Sequence, residues 1–422
     1  MYPAHHSVKA GHQSRCQVCN SDKIRLVLDL GHQPLCNTLL TKEMLNEAET
    51  TYPLRMCWCP QCTLVQVDYC VDGSLVFHPD YPYRTGITKE LFEHQVSLAK
   101  SLIAQYGLTS ADLVIDIGSN DGTLLSGFKG GGIRTLGVEP TNIAQIARAS
   151  GIETVQEFFT VKTARAIKKQ YGPASLITST NMFAHMATLG EVVTGLEVSL
   201  KDGGVFVCET HYLLDLIQGG QFDDIYLEHL RTYSLQSLLQ LFSYYNFTIT
   251  DAEHDLRDGG KLCIHATKGK NRPASRNVAS LLALEEEAGL GKLETYQAFA
   301  RRVQKAKKDF VSFIFQAAAE GKSIVGNSCP GRCVTLLNYF GVDSDWMAYV
   351  AEQPTSLKLS KFVPGKHFPI VNNEILLKEQ PDYVVLLAWH YAQPIRRQLE
   401  ARGLKSDFIV PLPDFHIVRN GS

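Results

Sequence analysis

Short apolar runs alternate with amphipathic stretches through the middle of the chain. The runs predict strands at residues 112–118, 134–139, 153–156, 176–180 and 205–209, and helical patterns lie between them, as at residues 142–149 and 161–170. Strands that alternate with helices predict a parallel sheet covered by helices on both faces. Two later apolar runs, at residues 247–252 and 261–266, are expected to add an antiparallel edge.

A second strand–turn–helix pattern follows a long helical region. Residues 268–277 are polar and are expected to form a linker, and residues 278–319 read as helix with a break near 289–291. A strand is then predicted to end at residues 323–326, with a turn at 327–333, a helix from 334–339, and strands at 346–350 and 383–388. This pattern predicts a second, smaller α/β unit. The predicted domains are residues 1–80, 81–268 and 278–422.

Composition sets the class of protein. A chain of 422 residues suggests two or three domains, and 45% hydrophobic with 20% charged residues is ordinary for a globular protein. A formal charge of -2 does not predict the basic surface that nucleic acid binding needs. No apolar run approaches the roughly 18 residues of a membrane span, and the N-terminus lacks a signal core. We therefore expect a cytoplasmic protein with reduced thiols, and, since no coiled-coil seam is visible, a monomer.

The strand at residues 112–118 leads into a glycine-bearing turn, and the next strand ends in an acid. This arrangement holds a nucleoside cofactor, because glycines let the backbone approach the ligand and the acid accepts hydrogen bonds from ribose hydroxyls. No third glycine stands where a pyrophosphate would need one, so S-adenosylmethionine (SAM) fits better than a dinucleotide. The candidate cofactor residues here are Asp116, Gly118, Ser119, Asn120, Gly122, Glu139 and Pro140.

Seven of the eleven cysteines lie before residue 71. Two Cys-x-x-Cys pairs, formed by Cys16, Cys19, Cys59 and Cys62, can complete a tetrahedral zinc site with no open position, which predicts structural zinc. Cys57 is a competing ligand, and scattered buried thiols are the simpler alternative. A zinc ribbon can also bind nucleic acid, but the segment between the pairs carries several glutamates and no basic cluster.

Candidate catalytic residues follow the later strands. Tyr226, Glu228 and His229 come after the strand ending at residue 209, and His185 follows the strand at 176–180. Strand carboxyl ends meet at one edge of a parallel sheet, so these side chains are expected at the crevice where cofactor and substrate meet. A lone histidine is usually structural, but several such side chains at one edge favour a site.

Two further segments have open interpretations. Residues 80–86 contain Tyr81 and Tyr83 around a proline, and they are either a hinge, a substrate lid or a packed linker. The turn at residues 326–332 presents backbone amides and the guanidinium of Arg332, which suit a phosphate. An ordinary turn with a surface arginine is the equal alternative there.

These segments together resemble the zinc-containing sugar C-methyltransferases, which act at C3 of nucleotide-linked 4-keto-6-deoxy sugars. The similarity spans nearly the whole chain. Its motifs are the two cysteine pairs, residues 52–54, 80–86, 115–124, 136–140, 181–185, 226–230, 259–260, 335–339, 364–365, 388–389 and 411–413. The resemblance implies an α/β protein with an N-terminal zinc-binding lobe, a central Rossmann-like class I methyltransferase domain and a smaller C-terminal α/β domain.

The resemblance also implies roles for individual residues. SAM would lie over residues 118–120 with Glu139 on the ribose, Asn181 nearby, and Phe158 or Phe159 near the adenine. His229 would be the general base that removes the C3 proton. Tyr226, Glu228 and His185 would position it or the substrate, and Tyr81 or Tyr83 would reach in from the first lobe. The nucleotide would lie against the C-terminal domain, with Arg332, Lys358 and Lys261 as candidate substrate-binding residues.

Three positions depart from the family pattern. Leu227 stands where a second histidine is usual, Lys261 where a small polar residue is typical, and Arg332 where lysine is usual. These changes bear on the sugar and on whether the nucleotide is dTDP or GDP. The sequence therefore predicts SAM-dependent C3-methylation of a nucleotide-linked keto sugar. The alternatives are an O- or N-methyltransferase acting on a small molecule, and a zinc-ribbon module that binds RNA or protein.

Overall fold

The N-terminal lobe is built on a small antiparallel sheet. The structure, a computed structural model, describes residues 3–77, 84–87 and 89–421. The lobe contains β1 (Gly11–His12), β2 (Arg25–Gln33), β3 (Tyr52–Trp58), β4 (Val65–Val67), β5 (Tyr69–Cys70) and α1 (Gly73–Val76). Strand β3 pairs with β2 and β4, and β1 pairs with β5. Leu54, Met56 and Trp58 alternate along β3 and are all buried, which anchors the sheet on the core.

The central domain carries a seven-stranded sheet. Its elements are α2 (Lys89–Tyr106), β6 (Leu113–Ile117), α3 (Thr123–Gly130), β7 (Arg134–Val138), α4 (Ala144–Ala149), β8 (Thr154–Val155), α5 (Val161–Tyr171), β9 (Ala174–Thr180), α6 (Leu189–Ser199), β10 (Leu200–His211), α7 (Leu213–Gln218), β11 (Arg231–Thr232), α8 (Leu235–Ser243), β12 (Phe247–Asp255) and β13 (Lys261–Lys268). The order in the sheet is β12-β13-β10-β9-β6-β7-β8. Strands β6 to β10 are parallel, and β12 and β13 form the expected antiparallel edge.

Strand β11 comes from the central part of the chain but belongs to the sheet of the N-terminal lobe. It pairs antiparallel with β4, so the lobe sheet has the order β11-β4-β3-β2. The side chain of Arg231 in β11 is 1% exposed and donates to the carbonyl of Met186 at 2.6 Å. The pairing of β11 with β4 and the hydrogen bond from Arg231 to Met186 therefore hold the lobe against the central domain.

The C-terminal part has its own sheet. Helices α9 (Arg276–Glu287) and α10 (Leu293–Ala319) precede β14 (Ile324–Asn327), α11 (Arg332–Phe340), β15 (Val350–Glu352), β16 (Ile370–Asn372), α12 (Glu374–Glu379), β17 (Tyr383–Leu386), α13 (Ala392–Ala401), β18 (Asp407–Val410) and β19 (His416–Val418). The sheet order is β16-β15-β14-β17-β18-β19, and only the pairing of β18 with β19 is antiparallel among these. The predicted second α/β unit and the break between its two leading helices are confirmed.

Short 3-10 helices connect several elements. They are Ala4–His6, Met44–Asn46, Thr85–Ile87, Phe183–His185, Phe222–Asp224, Arg257–Gly259 and Trp389–Tyr391. In the described parts of the chain, no helix combines the length and the apolar character that a bilayer span needs.

The strand predicted at residues 346–350 is displaced toward the C-terminus. Strand β15 begins only at Val350, because the residues before it form a turn around Asp343. The carbonyl of Asp343 accepts from the amides of Trp346 and Met347 at 3.2 and 3.1 Å, and its carboxylate accepts from the amide of Asp345 at 3.2 Å. An aspartate that bonds the backbone two residues later favours a turn over a strand.

Candidate active site

The turn between β6 and α3 exposes bare backbone at the carboxyl edge of the central sheet. Gly118 and Gly122 have φ values of 71° and 79°, in the left-handed region that glycine adopts without strain. A Cβ atom at Gly118 would lie 2.6 Å from Cγ of Met182, so a larger residue does not fit there. The turn therefore forms a cradle that a ligand can approach closely.

Buried polar groups line this cradle. Glu139, just after β7, accepts from the amide of Asn120 at 3.0 Å and from the amide and hydroxyl of Thr141 at 2.9 and 2.7 Å. The hydroxyl of Ser119 and Oδ1 of Asn181 are buried and have no hydrogen-bond partner within the described residues. Buried polar atoms are normally paired, so the unpaired Oδ1 of Asn181 suits a donor on a bound molecule. The hydroxyl of Ser119 faces β7, where a Cβ atom on Gly137 would lie 2.5 Å from it.

The other residues predicted near the cofactor lie at different depths. Asp116 is 2% exposed, so it lies beneath the turn and away from solvent. Burial raises its pKa to about 7. Pro140 is half-buried beside Glu139. Phe159 is in the core, where a Cβ atom on Gly195 would come within 2.8 Å of its ring. Phe158 is 52% exposed, so of the two phenylalanines only Phe158 presents a ring to solvent.

The segment before α2 lies on the cofactor cradle. The amide of Thr85 donates to Oδ1 of Asn120 at 2.8 Å, and the amide of Gly86 donates to Oδ2 of Asp121 at 3.0 Å. Two tyrosines predicted to reach into the site from this segment, Tyr81 and Tyr83, lie outside the described residues. These two amides therefore lie against the turn that carries Asn120 and Asp121.

Three histidines and a tyrosine meet beyond the carboxyl ends of β9 and β10. The hydroxyl of Tyr226 lies 2.7 Å from Nε2 of His229, and Nδ1 of His229 lies 2.8 Å from the backbone carbonyl of Asp224. Because a carbonyl only accepts, we assign the proton to Nδ1, and Nε2 then accepts from Tyr226. The rings of His185 and His211 meet that of His229 edge-on, with centroids 4.8 and 4.9 Å away.

Asp224 is the charged centre of this cluster. Its Oδ2 lies 3.0 Å from Nδ1 of His211 and 3.6 Å from Nδ1 of His229, and its Oδ1 lies 3.0 Å from Nη2 of Arg332. Burial raises its pKa, but His211, Arg332 and His229 together hold that pKa well below the usual range. Burial lowers the pKa of His211, and burial with two imidazole neighbours lowers the pKa of His185 to about 3. These two imidazoles are therefore neutral near pH 7.

Glu228 points away from the histidines toward the N-terminal lobe. Its two carboxylate oxygens accept from Nδ2 of Asn37 at 2.9 and 2.8 Å, and one of them accepts from Sγ of Cys36 at 3.1 Å. The side chain is 3% exposed, and burial raises its pKa. Glu228 therefore joins the lobe to the segment that carries Tyr226 and His229.

Comparison with family models divides the chain in the same way as the fold. Residues 16–77 match the model described as "Putative zinc binding domain". Residues 92–252 match a methyltransferase domain, and residues 257–413 match a C-methyltransferase C-terminal domain. The chain is also 32% identical over 412 residues to C-methyltransferase NovU of Streptomyces niveus, covering 96% of both proteins.

The chain belongs to the C-methyltransferase family. It is a SAM-dependent methyltransferase with an N-terminal zinc-binding domain and a Rossmann-like class I catalytic domain, as the sequence predicted. A SAM-dependent methyltransferase from Anabaena variabilis covers 46% of this chain and 90% of its own, at 14% identity and a TM-score of 0.35. Another SAM-dependent methyltransferase, from Clostridium acetobutylicum, covers 42% of this chain and 92% of its own, at 12% identity and a TM-score of 0.33. The assignment rests on the family models and on the relative.

The four predicted zinc ligands of this C-methyltransferase lie together. Sγ of Cys16 is 3.5 Å from that of Cys62, and Sγ of Cys19 is 3.5 Å from that of Cys59. All four sulfur atoms lie within 4.8 Å of one another. Zinc–sulfur bonds of about 2.3 Å in a tetrahedron separate the sulfurs by about 3.8 Å, so the set fits zinc with no position left for substrate. Cys57 is outside this set, and burial raises its pKa to about 12.

Arg332 of the C-methyltransferase C-terminal domain reaches into the central domain. Its Nε lies 3.3 Å from Oδ2 of Asp223, in addition to its contact with Asp224. Its Nη1 lies 3.0 Å from the ring of His390, and its guanidinium carbon lies 6.0 Å from the centre of the Trp389 ring. Several N–H groups of the Arg332 guanidinium therefore contact other side chains where the two domains meet.

The two candidate lysines are also engaged by protein. Lys261 is 2% exposed and donates to Oε1 of Glu209 at 3.1 Å. Lys358 donates to the carbonyl of Cys329 at 2.5 Å, in the turn before α11. Lys358 is therefore beside the turn predicted for phosphate, whereas Lys261 lies at the end of the central sheet.

Three residues of the site, His211, Asp224 and Asn37, are not among those predicted from sequence patterns. His211 ends β10, which runs two residues beyond the predicted strand, and Asp224 stands two residues before Tyr226. His211 stands at a strand carboxyl end and Asp224 lies in the segment that follows it, so the signal that selected Tyr226 also applies to both. Asn37 gave no comparable signal, since it is 191 residues away from Glu228 in the chain.

Proposed function

We propose that this C-methyltransferase adds the SAM methyl group to C3 of a nucleotide-linked 4-keto-6-deoxyhexose, with dTDP or GDP as the nucleotide. The observation that carries the proposal is the group of three imidazoles and a tyrosine hydroxyl at the sheet edge beside the cofactor cradle. Methylation at carbon needs removal of a C–H proton, whereas methylation at oxygen or nitrogen does not. A site rich in proton acceptors therefore suits carbon.

The residues match the chemistry of a ketone. A proton on the carbon next to a carbonyl is removable if a base lies within hydrogen-bond reach and the developing enolate oxygen is stabilised. The hydroxyl of Tyr226 lies 2.7 Å from Nε2 of His229. If it turns to the developing oxygen, it donates its one proton there and leaves the lone pair of Nε2 for the substrate proton. The sequence-based assignment of His229 as the base remains a prediction. When bound, SAM supplies an electrophilic methyl group with sulfur as its leaving group.

The strand order of the C-terminal sheet supports nucleotide binding at its carboxyl edge. Strand β14 lies at the centre, β15 and β16 follow on one side, and β17 and β18 on the other. Ligands of open α/β sheets bind beyond the strand ends at such a switch point. Here it is lined by Asn327, whose Oδ1 is buried without a partner within the described residues, and by the turn that contacts Lys358. These features support a phosphate-bearing substrate.

A panel of dTDP- and GDP-linked 4-keto-6-deoxyhexoses tests the proposal. Each sugar is incubated with the enzyme and methyl-labelled SAM in deuterated water, and the product is analysed by mass spectrometry and NMR. We expect one labelled methyl at C3 with loss of the C3 hydrogen. C5 is the other carbon next to the C4 ketone, so a methyl at C5 would contradict the position but keep the reaction type. A product with its carbon-bound hydrogens intact would instead indicate O- or N-methylation.

A further inference from the structure

We propose that the carboxylate of Asp224, held by Arg332 from the C-terminal domain, positions His229 as the general base and stabilises the imidazolium that forms there. This inference rests on the proposed function, because it concerns the proton that methylation at carbon must remove. It assigns a positioning role to a residue outside the segment that carries Tyr226 and His229. It also gives the C-terminal domain a part in proton transfer.

Asp224 contacts His229 through two different groups. Its backbone carbonyl accepts from Nδ1 of His229 at 2.8 Å, and Oδ2 of its carboxylate lies 3.6 Å from the same nitrogen. Any residue at position 224 would supply the carbonyl, which is sufficient to place the proton on Nδ1 and the lone pair on Nε2. The carboxylate is what aspartate adds. It puts a negative charge beside the imidazole on the side of Nδ1.

Burial makes this negative charge matter to the base. The side chains of His229 and Asp224 are 3% and 7% exposed, so water screens the pair little. An imidazolium in such surroundings is unfavourable unless an opposite charge lies nearby. The other carboxylate of this segment, that of Glu228, is turned toward Asn37 of the N-terminal lobe. Asp224 is therefore the acid that can compensate a positive charge on His229.

Two side chains fix the carboxylate of Asp224 in its orientation. Oδ1 lies 3.0 Å from Nη2 of Arg332, and Oδ2 lies 3.0 Å from Nδ1 of His211. Because the two contacts engage different oxygens, they hold the plane of the carboxylate as well as its position. Arg332 is the first residue of α11, in the domain that we propose for the nucleotide. The guanidinium thus links that domain to the base through Asp224.

The groups around the base limit which of them can titrate near neutral pH. The charged or titratable side chains that face His229 or Asp224 are His185, His211, Tyr226, Glu228, Arg332, His390 and, through His211, Lys261. Burial is the main cause that lowers the pKa of His185 to about 3 and the pKa of His390 to about 2, so both imidazoles are neutral. An experiment on pH dependence must therefore separate His229 from His211.

The proposed step is balanced. The hydroxyl of Tyr226 turns from His229 to the substrate oxygen, and Nε2 of His229 takes the proton from the substrate carbon. The electrons of the C–H bond form the enolate, and the imidazolium charge is compensated by Asp224. The enolate electron pair then forms the new carbon–carbon bond to the methyl group, while the electrons of the carbon–sulfur bond return to sulfur. His229 finally releases its proton to solvent.

The test measures proton removal without methyl transfer. With S-adenosylhomocysteine bound in place of SAM, exchange of the substrate's α-hydrogen in deuterated water is followed as a function of pH. Asp224→Asn keeps the backbone carbonyl and the size of the side chain, so it removes the charge alone. A base works only when deprotonated, so exchange falls on the acid side of the profile.

Without the carboxylate the imidazolium is less stable and forms only at lower pH. The acid limb of the exchange profile should therefore move to lower pH by about one unit or more, the effect typical of a close opposite charge. The plateau rate should fall by about tenfold, which is part of the roughly 10²- to 10⁴-fold contribution of a general base. A purely structural role would lower the rate and leave the limb in place.

Two variants serve as controls. The carboxylate of Asp223 lies 3.3 Å from Nε of the same guanidinium and accepts from Nε1 of Trp389 at 2.9 Å. Asp223→Asn therefore disturbs the contact between the domains but keeps the charge beside His229, and its acid limb should stay at the wild-type pH. In a His211→Gln background, Asp224→Asn should still move the limb, because the limb belongs to His229.

Several results would overturn the inference. An acid limb that stays in place in Asp224→Asn, or that moves equally in Asp223→Asn, would mean that the carboxylate of Asp224 does not act on the base. Exchange that survives in His229→Gln would exclude His229 as the base. If Asp224→Asn does not fold, Asp224→Ser replaces it and must move the limb in the same direction. Absence of exchange by the wild-type enzyme on every keto sugar would instead overturn the proposed function together with this inference.

Discussion

Replacing Arg332 with methionine should destabilise the enzyme through the aspartate pair it contacts. Arg332 lies 3.3 Å from Asp223 and 3.0 Å from Asp224, and both carboxylates are buried. Removing one partner of a buried ion pair typically costs about 3–5 kcal/mol, because the remaining charge is left without compensation. Asp224 keeps its histidine contacts, so most of the cost should come from Asp223.

The pH dependence of this loss identifies its cause. Burial already raises the pKa of Asp223, and Arg332 opposes that shift. Without Arg332 the pKa of Asp223 rises further, so folding of the variant takes up a proton as the pH falls. A carboxyl group whose pKa is higher in the folded state is less destabilising at low pH. The difference in unfolding free energy between wild type and variant should therefore shrink from about pH 8 to about pH 5.5.

Urea unfolding of both proteins at the two pH values measures this difference. The double variant Arg332→Met with Asp223→Asn should recover much of the lost stability, because the uncompensated charge is gone. Lys305→Met is a surface control, since Lys305 is 73% exposed in its contact with Asp309. It should change stability little. A stability loss that stays constant or grows on acidification would refute the reasoning.

Three further predictions address the metal, the cofactor and the enolate. Cys59→Ser should lose bound zinc in elemental analysis, whereas Cys57→Ser should retain one zinc per chain, because Cys57 lies outside the four-sulfur cluster. Glu139→Gln should weaken SAM binding in calorimetry by about tenfold or more, since hydrogen bonds to a charged group contribute about 1.5–3 kcal/mol. Tyr226→Phe should lower the rate of methyl transfer by about 10²-fold with little change in SAM affinity, as loss of one oxyanion donor does.

The sequence by itself determined the features that depend on local spacing. Two cysteines three positions apart can place two thiolates on one tight turn, and residues with positive φ follow each pair at Asn20 and Thr63. The cofactor turn is equally local, because Gly118 and Gly122 are placed by backbone geometry that few other residues adopt. The α/β pattern was readable because a strand such as β6 is buried along its length and so reads as a continuous apolar run.

Only the tertiary structure decided how these parts act on one another. Asn37 contacts Glu228 and Arg332 contacts Asp224 across more than a hundred residues of chain, and no local pattern encodes which distant side chains will meet. The same holds for β11, which is two residues long and is a strand only because β4 lies beside it. The pairing of His211 with Asp224 is a contact of this kind. Spacing along the sequence thus predicted which functional side chains the enzyme has, and tertiary packing decided which of them lie in contact.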